Sequence, residues 1–486
     1  MTLMKKRLLA IALTPALSLG LVGCPVNPAT GERQLILISE SQEIEMGRGG
    51  AAQVEASMGL YDNPELQEYV SEIGHELAAK SEKPGLPWSF KVVDDDLVNA
   101  FALPGGFIFV TRGILAYFNS EAELAGVLGH EIGHVTARHS AEQLSRASVA
   151  QLGLAAGTVF VPEFSPYASA AGQGLGLLFL KFGRDDESQS DELGFRYMQR
   201  AGYNPTEMVD VFDMLDRVTQ AAGGRGIPTW LSTHPDPGDR RTRMEEALAE
   251  AGGSFEGVTG RDRYLRLLDG LVFGKDPREG FFQGSLFLHP NLEFQIEFPS
   301  GWETQNTKQA VYGLSQEQDA IIQLSLGQGT TVEAAAESFL GQEGIRSGGT
   351  ARWEVNGLQA VWGSFTATTS DGTELGGLVV FVAYNELIYQ ILGYSTAAKL
   401  SSYDPAMRQT MRSFDRLTDR DALDAQPARL DIIELDRDMT LEEFAGHYPS
   451  SVPIGTLELI NNVERTATVP AGERLKRVVG APPRDN

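Results

Sequence analysis

His130-Glu131-Ile132-Gly133-His134 sets two imidazoles four residues apart, with a carboxylate directly after the first. On a helix, residues four apart share a face, so both rings can hold one metal ion. Glu131 sits one step round the helix, where it reaches a water activated by the metal rather than the metal. Two neutral nitrogen ligands, a nearby general base and an open coordination position are the parts of a zinc hydrolase site. The chain holds only seven histidines, so this spacing carries more information than any one of them.

Such a site needs a third protein ligand. The long motif that ends in a third histidine requires glycine at 137 and histidine at 140. The chain has Ala137 and Ser140 there, with His139 one place out of register, where it reads as a polar residue on the continuing helix. The next candidates are acidic. Between Val149 and Leu180 the only charged residue is Glu163, and then comes Arg184-Asp185-Asp186-Glu187-Ser188-Gln189-Ser190-Asp191. Glu187 and Asp191 fall on one helical face, so one can ligate while the other orients a ligand histidine. Asp185 and Asp186 read as a solvated helix start.

Local signals describe the elements that must hold these residues. Ser120-Glu121-Ala122-Glu123 has the form of an N-cap followed by an acidic first turn. The following helix is small and apolar, as a buried helix is. Gly126, Gly129 and Gly133 weaken it and fit where another element approaches closely. Pro104-Gly105-Gly106 interrupts, and Phe107-Ile108-Phe109-Val110-Thr111 has strand character. Phe107, Ile108 and Phe109 are candidates to pair with an extended substrate through backbone hydrogen bonds, and an ordinary core strand satisfies the same pattern.

The two motifs in this order resemble the zinc metallopeptidases related to HtpX and the CAAX prenyl endopeptidase, in the exported BepA-like lipoprotein branch. Three further pieces carry the resemblance: Asn99 to Gly106 with Ile108 to Val110, Ser232-Thr233-His234-Pro235 with Arg240, and Asn27 to Gln34. It covers about residues 25 to 250, and Ser190 departs from the alanine of many relatives. The resemblance implies one Zn2+ per chain, held by His130, His134 and Glu187, with Asp191 in support. It implies Glu131 as general base toward a peptide carbonyl. His234 either donates to the oxyanion or takes the open metal position when no substrate is bound; a histidine packed before Pro235 is the plain alternative. Arg240 anchors it or is a surface arginine.

The N-terminus accounts for the only cysteine. Lys5, Lys6 and Arg7 precede an apolar run from Leu8 to Val22, the pattern of a secretory signal over residues 1–23. Leu21-Val22-Gly23-Cys24 resembles the lipobox of bacterial lipoproteins, which implies lipidation at Cys24 and a membrane tether of several acyl chains. An uncleaved signal anchor is the alternative. Pro25 follows the cysteine in place of aspartate, which in a Gram-negative host points to the periplasmic side of the outer membrane. The net charge of −25 and pI of about 4.7 argue against binding nucleic acid or anionic lipid by charge. After the signal, the runs at 149–162 and 164–180 come nearest to a membrane span and read as a helical hairpin, either a lid on the cleft or core packing.

The expected organisation is multidomain. A mostly α, zincin-like peptidase domain with a small sheet occupies 24–275, with helical patterns at 64–80, 120–146, 186–201, 205–222 and 239–251. An α+β accessory domain at 280–418 shows strand patterns at 287–298, 310–314, 320–326, 351–355, 358–369 and 378–392, and helical ones at 331–343 and 404–414. It carries no acid–base constellation and reads as a binding or scaffolding module; Pro299-Ser300-Gly301-Trp302 resembles PsbP-like modules. The unit at 428–480 resembles a βααβ LysM-like module, a fold that binds N-acetylglucosamine-containing glycans such as peptidoglycan. Asp438-Met439 replaces the usual Gly-Asp before Thr440-Leu441, which leaves protein contacts as the alternative role.

The function expected is a zinc endopeptidase of the bacterial envelope that cleaves misfolded or stalled envelope and outer-membrane proteins. Its partners would be those clients, with peptidoglycan or the outer-membrane assembly machinery, and no nucleic acid. The alternative is a wall-associated chaperone or scaffold with a latent peptidase site. A peptidoglycan-directed hydrolase rests on the C-terminal unit alone. Glu131 favours catalysis, because a scaffold has no use for a base there.

Overall fold

The computed structural model describes residues 26–154, 181–221, 230, 233–234, 237–250, 252, 255–369 and 372–480. The signal segment with Cys24, most of the 149–180 hairpin, Ser232 and Pro235 lie outside them. The peptidase region contains α1 (Glu40–Met58), α2 (Pro64–Ala78), β1 (Ser89–Val93), β2 (Ala100–Leu103), β3 (Phe107–Thr111), α3 (Arg112–Leu115), α4 (Glu121–Thr136) and α5 (His139–Leu154). It continues through α6 (Arg184–Ala201), α7 (Glu207–Ala221), α8 (Pro237–Glu250) and α9 (Arg261–Leu267). No helix among the described residues is long and apolar enough to cross a membrane.

Helix α4 carries both histidines of the motif and is buried along its whole length. Ser120 caps it, its hydroxyl accepting from the Glu123 amide at 3.1 Å. Helix α6 lies against α4 at backbone distance. A Cβ on Gly129 would meet Gly194 Cα at 3.2 Å, one on Gly133 the Ser190 carbonyl at 2.9 Å, and one on Gly194 the His130 amide nitrogen at 2.9 Å. These glycines exchange helix propensity for contact, which brings Glu187 and Asp191 to the motif. Gly194→Val should therefore push the helices apart. We expect a loss of about 1–3 kcal/mol from overpacking, with lowered zinc content. A metal-free melting curve and zinc analysis equal to wild type would refute it.

The pattern at 120–146 reads as one helix, but the chain breaks it. Helix α4 ends at Thr136, Arg138 takes φ +60°, and α5 starts at His139. A left-handed arginine costs about 1–2 kcal/mol. Contacts from α1 and the chain just before it offset it: Arg138 Nε donates to Glu43 Oε1 at 2.7 Å and Nη2 to the Ile38 carbonyl at 2.8 Å. No glycine or proline marks this corner, so local signals do not show it.

The small sheet has strand order β1-β3-β2, with β1 parallel and β2 antiparallel to β3. Phe107, Ile108 and Phe109 thus lie on the central strand, paired on one side with Ser89 to Lys91 and on the other with Ala102, Leu103 and Phe101. Both of its edges are used, so this strand cannot receive a substrate chain. That corrects the candidate substrate strand; β1 and β2 are the edges of the sheet. The cause is the parallel partner β1, a non-local pairing that an alternating segment does not announce.

The second region holds β4 (Phe281–Gln283), β5 (Leu286–His289), β6 (Phe294–Glu297), β7 (Glu303–Asn306), β8 (Ala310–Leu314), β9 (Ala320–Leu326), α10 (Val332–Leu340), β10 (Ile345–Val355), β11 (Leu358–Thr368), β12 (Glu374–Tyr384), β13 (Leu387–Thr396), α11 (Leu400–Ser413), β14 (Asp415–Arg416) and α12 (Arg420–Leu423). It forms an antiparallel seven-stranded sheet, β10-β11-β12-β13-β9-β8-β7, and a four-stranded one, β14-β6-β5-β4. The run at 378–392 is two strands, not one. Asn385 and Glu386 both have positive φ, 47° and 63°, the requirement of a tight two-residue hairpin. Apolar character continues through it because α10 covers one face of the sheet and α11 the other. Likewise 287–298 is the β5–β6 hairpin.

The last unit comprises β15 (Arg429–Glu434), β16 (Met439–Thr440), α13 (Leu441–His447), α14 (Ile454–Asn461), β17 (Thr468–Val469) and β18 (Arg474–Val479), with β15 antiparallel to β18. It is not independent of the peptidase region. Leu430, Phe444, Leu457 and Leu475 share one hydrophobic cluster with Leu124 and Leu128 of α4. Lys476 is fully buried, its Nζ donating to the Ala116 and Phe118 carbonyls at 2.9 and 2.6 Å, in the turn that leads into α4.

Candidate metal centre

The α4–α6 contact and the Trp230–His234 segment bring four donors together. Ligand atoms of His130, His134, Glu187 and His234 lie within 4.8 Å of one another, and all four residues are buried. His130 Nε2 and His134 Nε2 are 3.0 Å apart. Glu187 Oε2 is 3.6 Å from His130 Nε2 and its Oε1 3.5 Å from His134 Nε2. His234 Nδ1 is 2.9 Å from Glu187 Oε1 and 3.3 Å from His130 Nε2.

Asp191 and Arg240 stand behind this cluster. Asp191 Oδ1 is 2.9 Å from His130 Nδ1. A carboxylate only accepts, so the His130 proton belongs on Nδ1 and the Nε2 lone pair points into the cluster. Arg240 is buried: its Nη2 donates to Asp191 Oδ1 at 2.6 Å and its Nε to Oδ2 at 2.9 Å. Nη1 forms an ion pair with Glu187 Oε2 at 2.9 Å, outside hydrogen-bond geometry, and the guanidinium packs 4.7 Å from the Phe212 ring centre. Arg240 Nη2 also lies 3.1 Å from His130 Nδ1, but the shorter bond to Asp191 leaves the carboxylate to hold that proton. A surface arginine is therefore excluded.

Electrostatics follow from burial and these partners. Burial, then the Arg240 charge, pushes His130 down to about 3, which keeps the ring neutral. Burial raises Glu187, but the charges of His234 and Arg240 and bonds from His134 and His234 carry it well below the usual carboxylate range. Asp191 also lies low: burial is overcome by Arg240 and His130. Burial pushes Glu131 up to about 7, against the lowering charge of His134. Neither Glu131 oxygen has a partner in hydrogen-bond geometry, although the backbone of Ala102 on β2 exerts a small lowering effect on it. His234 Nε2 is 3.6 Å from Glu131 Oε1.

These residues fit a metal ion. His130 turns its Nε2 lone pair into the cluster, 3.0 Å from His134 Nε2, and Glu187 and Glu131 keep buried oxygens without hydrogen-bond partners. Two histidines and a carboxylate suit zinc. His234 completes the buried set, its ring stacked on Trp230 at 4.2 Å and near Phe182 at 5.6 Å. No residue among His130, Glu131, His134, Glu187 and His234 is more than 2% exposed, so a polypeptide reaches the cluster only after this cover moves.

Local reading misses the support of His134. On one continuous helix His139 would lie about 140° round from His134. The corner at Arg138 instead turns it back, so that its Nδ1 is 2.9 Å from His134 Nδ1 and it is 1% exposed. It is not a polar residue on a continuing helix. The available signal was a histidine five positions past a ligand in a chain with few. Gln189, Phe182 and Trp230 leave no such signal.

A model of peptidase family M48 matches residues 64–248. The chain is 32% identical over 222 residues to a beta-barrel assembly-enhancing protease of Yersinia pestis, covering 44% of this chain and 45% of that protein. It is 36% identical over 196 residues to the mitochondrial metalloendopeptidase OMA1 of Arabidopsis thaliana, covering 39% and 38%. The chain spans about half the length of the curated relatives it matches. A solution structure of cyanobacterial PsbP from Synechocystis aligns at a TM-score of 0.23 and 10% identity, over 28% of this chain and 95% of that one, and carries no argument at that score. All four donors, His130, His134, Glu187 and His234, lie inside the stretch that matches the model of peptidase family M48.

Proposed function

We propose that the chain is a zinc-dependent endopeptidase of the bacterial cell envelope, acting on unfolded or misassembled envelope proteins. The carrying observation is the buried set of His130, His134 and Glu187 with the unpartnered carboxylate of Glu131 beside it. Zinc held there supplies Lewis acidity toward a peptide carbonyl and lowers the pKa of water. Glu131 takes the proton of the attacking water and passes it to the leaving amine; its raised affinity for a proton suits both steps. Asp191 and Arg240 hold His130 and Glu187 in place. A relative named for beta-barrel assembly supports the choice of outer-membrane clients. The lipobox-like Leu21 to Cys24 supports a tether on the periplasmic side of the outer membrane. The pairing of β15 with β18 around α13 and α14 supports a LysM-like module at 428–480, and its packing on α4 favours protein contact over a free glycan face. The test is degradation of casein and of an unfolded outer-membrane protein by the zinc-loaded chain; absence of cleavage of either would remove the reading.

One observation favours a second reading, latency: His234 lies inside the donor set. If it closes the site, His234→Ala should raise casein cleavage, by about tenfold where the closed form holds nine-tenths of the molecules. An inert His234→Ala protein with full zinc would assign His234 to the oxyanion instead.

A further inference from the structure

Behind His134 runs a directional chain of hydrogen bonds that starts outside the M48 match. Glu32 belongs to the N-terminal arm before α1, and its Oε2 accepts from Gln189 Nε2 at 2.9 Å. Gln189 Oε1 is 3.2 Å from His139 Nε2, and His139 Nδ1 is 2.9 Å from His134 Nδ1.

The chemistry of the ends sets the direction. A carboxylate only accepts, so Gln189 turns its amide nitrogen to Glu32 and its oxygen to His139. That oxygen also only accepts, so His139 carries its proton on Nε2 and offers a lone pair at Nδ1. His134 must then carry its proton on Nδ1, which leaves Nε2 bare in the donor cluster. The other neighbours of His139 agree. Asp186 Oδ1 lies 3.8 Å from Nε2, and the Ser190 hydroxyl, 3.4 Å from Nδ1, can donate there.

We propose that Glu32, Gln189 and His139 are positioning residues that select the metal-binding tautomer of His134. The proposal rests on the reading of His134 as a ligand. His130 has a carboxylate behind it; His134 has an imidazole whose polarity is set from the surface of the arm. The arm also fixes where the two rings stand. Asn27 Nδ2 donates to the Thr136 and Ala137 carbonyls at 3.1 and 2.9 Å, and Gln34 Nε2 to Ala137 at 2.8 Å, at the end of α4. The Leu37 amide donates to Ser145 Oγ on α5 at 2.8 Å. Residues 27–37 thus act on the site although the family match begins at 64.

Long-range proton–nitrogen correlation on the metal-free protein, with 15N-labelled histidine, reads the tautomers directly. The expected result is a proton on Nδ1 of His134 and on Nε2 of His139; a proton on Nε2 of His134 overturns the proposal. Chelator competition then measures zinc affinity. His139→Phe should weaken it about 10–100-fold, the range for lost outer support of a ligand. Glu32→Ala, at an exposed position that leaves the core intact, should weaken it about 2–10-fold. Unchanged affinity in both overturns the relay, and unchanged affinity in Glu32→Ala alone removes its surface end. His134→Ala separates the two readings: if it binds zinc as wild type does, His134 is no ligand and the metal-site reading is what fails.

Discussion

Glu131→Gln should lose peptide cleavage by about 10²–10⁴-fold in kcat, or roughly 3–5 kcal/mol of barrier, while its zinc content matches that of the wild type. Glutamine keeps the size and burial of this fully enclosed side chain and removes only its capacity to take a proton. Among the described residues no other carboxylate at the site can replace it, because Glu187 and Asp191 are committed to His234, Arg240 and His130. Single-turnover cleavage of casein or a quenched peptide, beside zinc analysis, checks both halves. A variant that cleaves within tenfold of wild type would end the general-base assignment. Loss of zinc with loss of cleavage would instead make Glu131 part of the holding set.

Arg240→Ala should destabilise the metal-free protein by about 3–5 kcal/mol, because it strands the carboxylates of Glu187 and Asp191 in a buried site. The pH dependence gives the sign. Both carboxyl groups lie below their ordinary 4.5 and 3.8, so in the wild type their contribution is complete above those values. It is lost as pH falls through the lower, folded values. Without Arg240, burial raises both groups, the sign reverses, and stability is lost as pH rises through the raised values. Urea unfolding between pH 4 and 8 in the presence of a chelator measures this; the wild-type midpoint across that range in Arg240→Ala would show that the guanidinium does not compensate them. Zinc should bind more weakly too, since a Glu187 that takes up a proton is a poorer ligand.

How far the site was legible depended on whether one helix carries a given relation. His130 and His134, like Glu187 and Asp191, are pairs four apart, and helical geometry alone puts each pair on one face. Ser120 announced the start of α4, and the glycines announced that something lies close. What lies close was not announced: Gly194 meets Gly129 only because α6 returns across α4. Arg240 looked like a surface arginine or an anchor until its buried bonds to Asp191 and Glu187 placed it. In the accessory region, helices on both faces of the sheet erased the alternation that would have separated β12 from β13.

By itself, then, the chain determined the reacting types and their spacing on α4 and α6, because periodicity within a helix is a local property. Tertiary structure decided that His139 stands behind His134, because the left-handed Arg138 is held by Glu43 of α1 and by Ile38 just before it. It decided that β3 is central, between the edge strands β1 and β2, because β1 pairs with it in parallel. It also decided that the C-terminal unit shares the core of the metal helix, through Lys476 and its apolar neighbours. Each of these contacts closes a long loop of chain, and only the packed state supplies the free energy that offsets that closure.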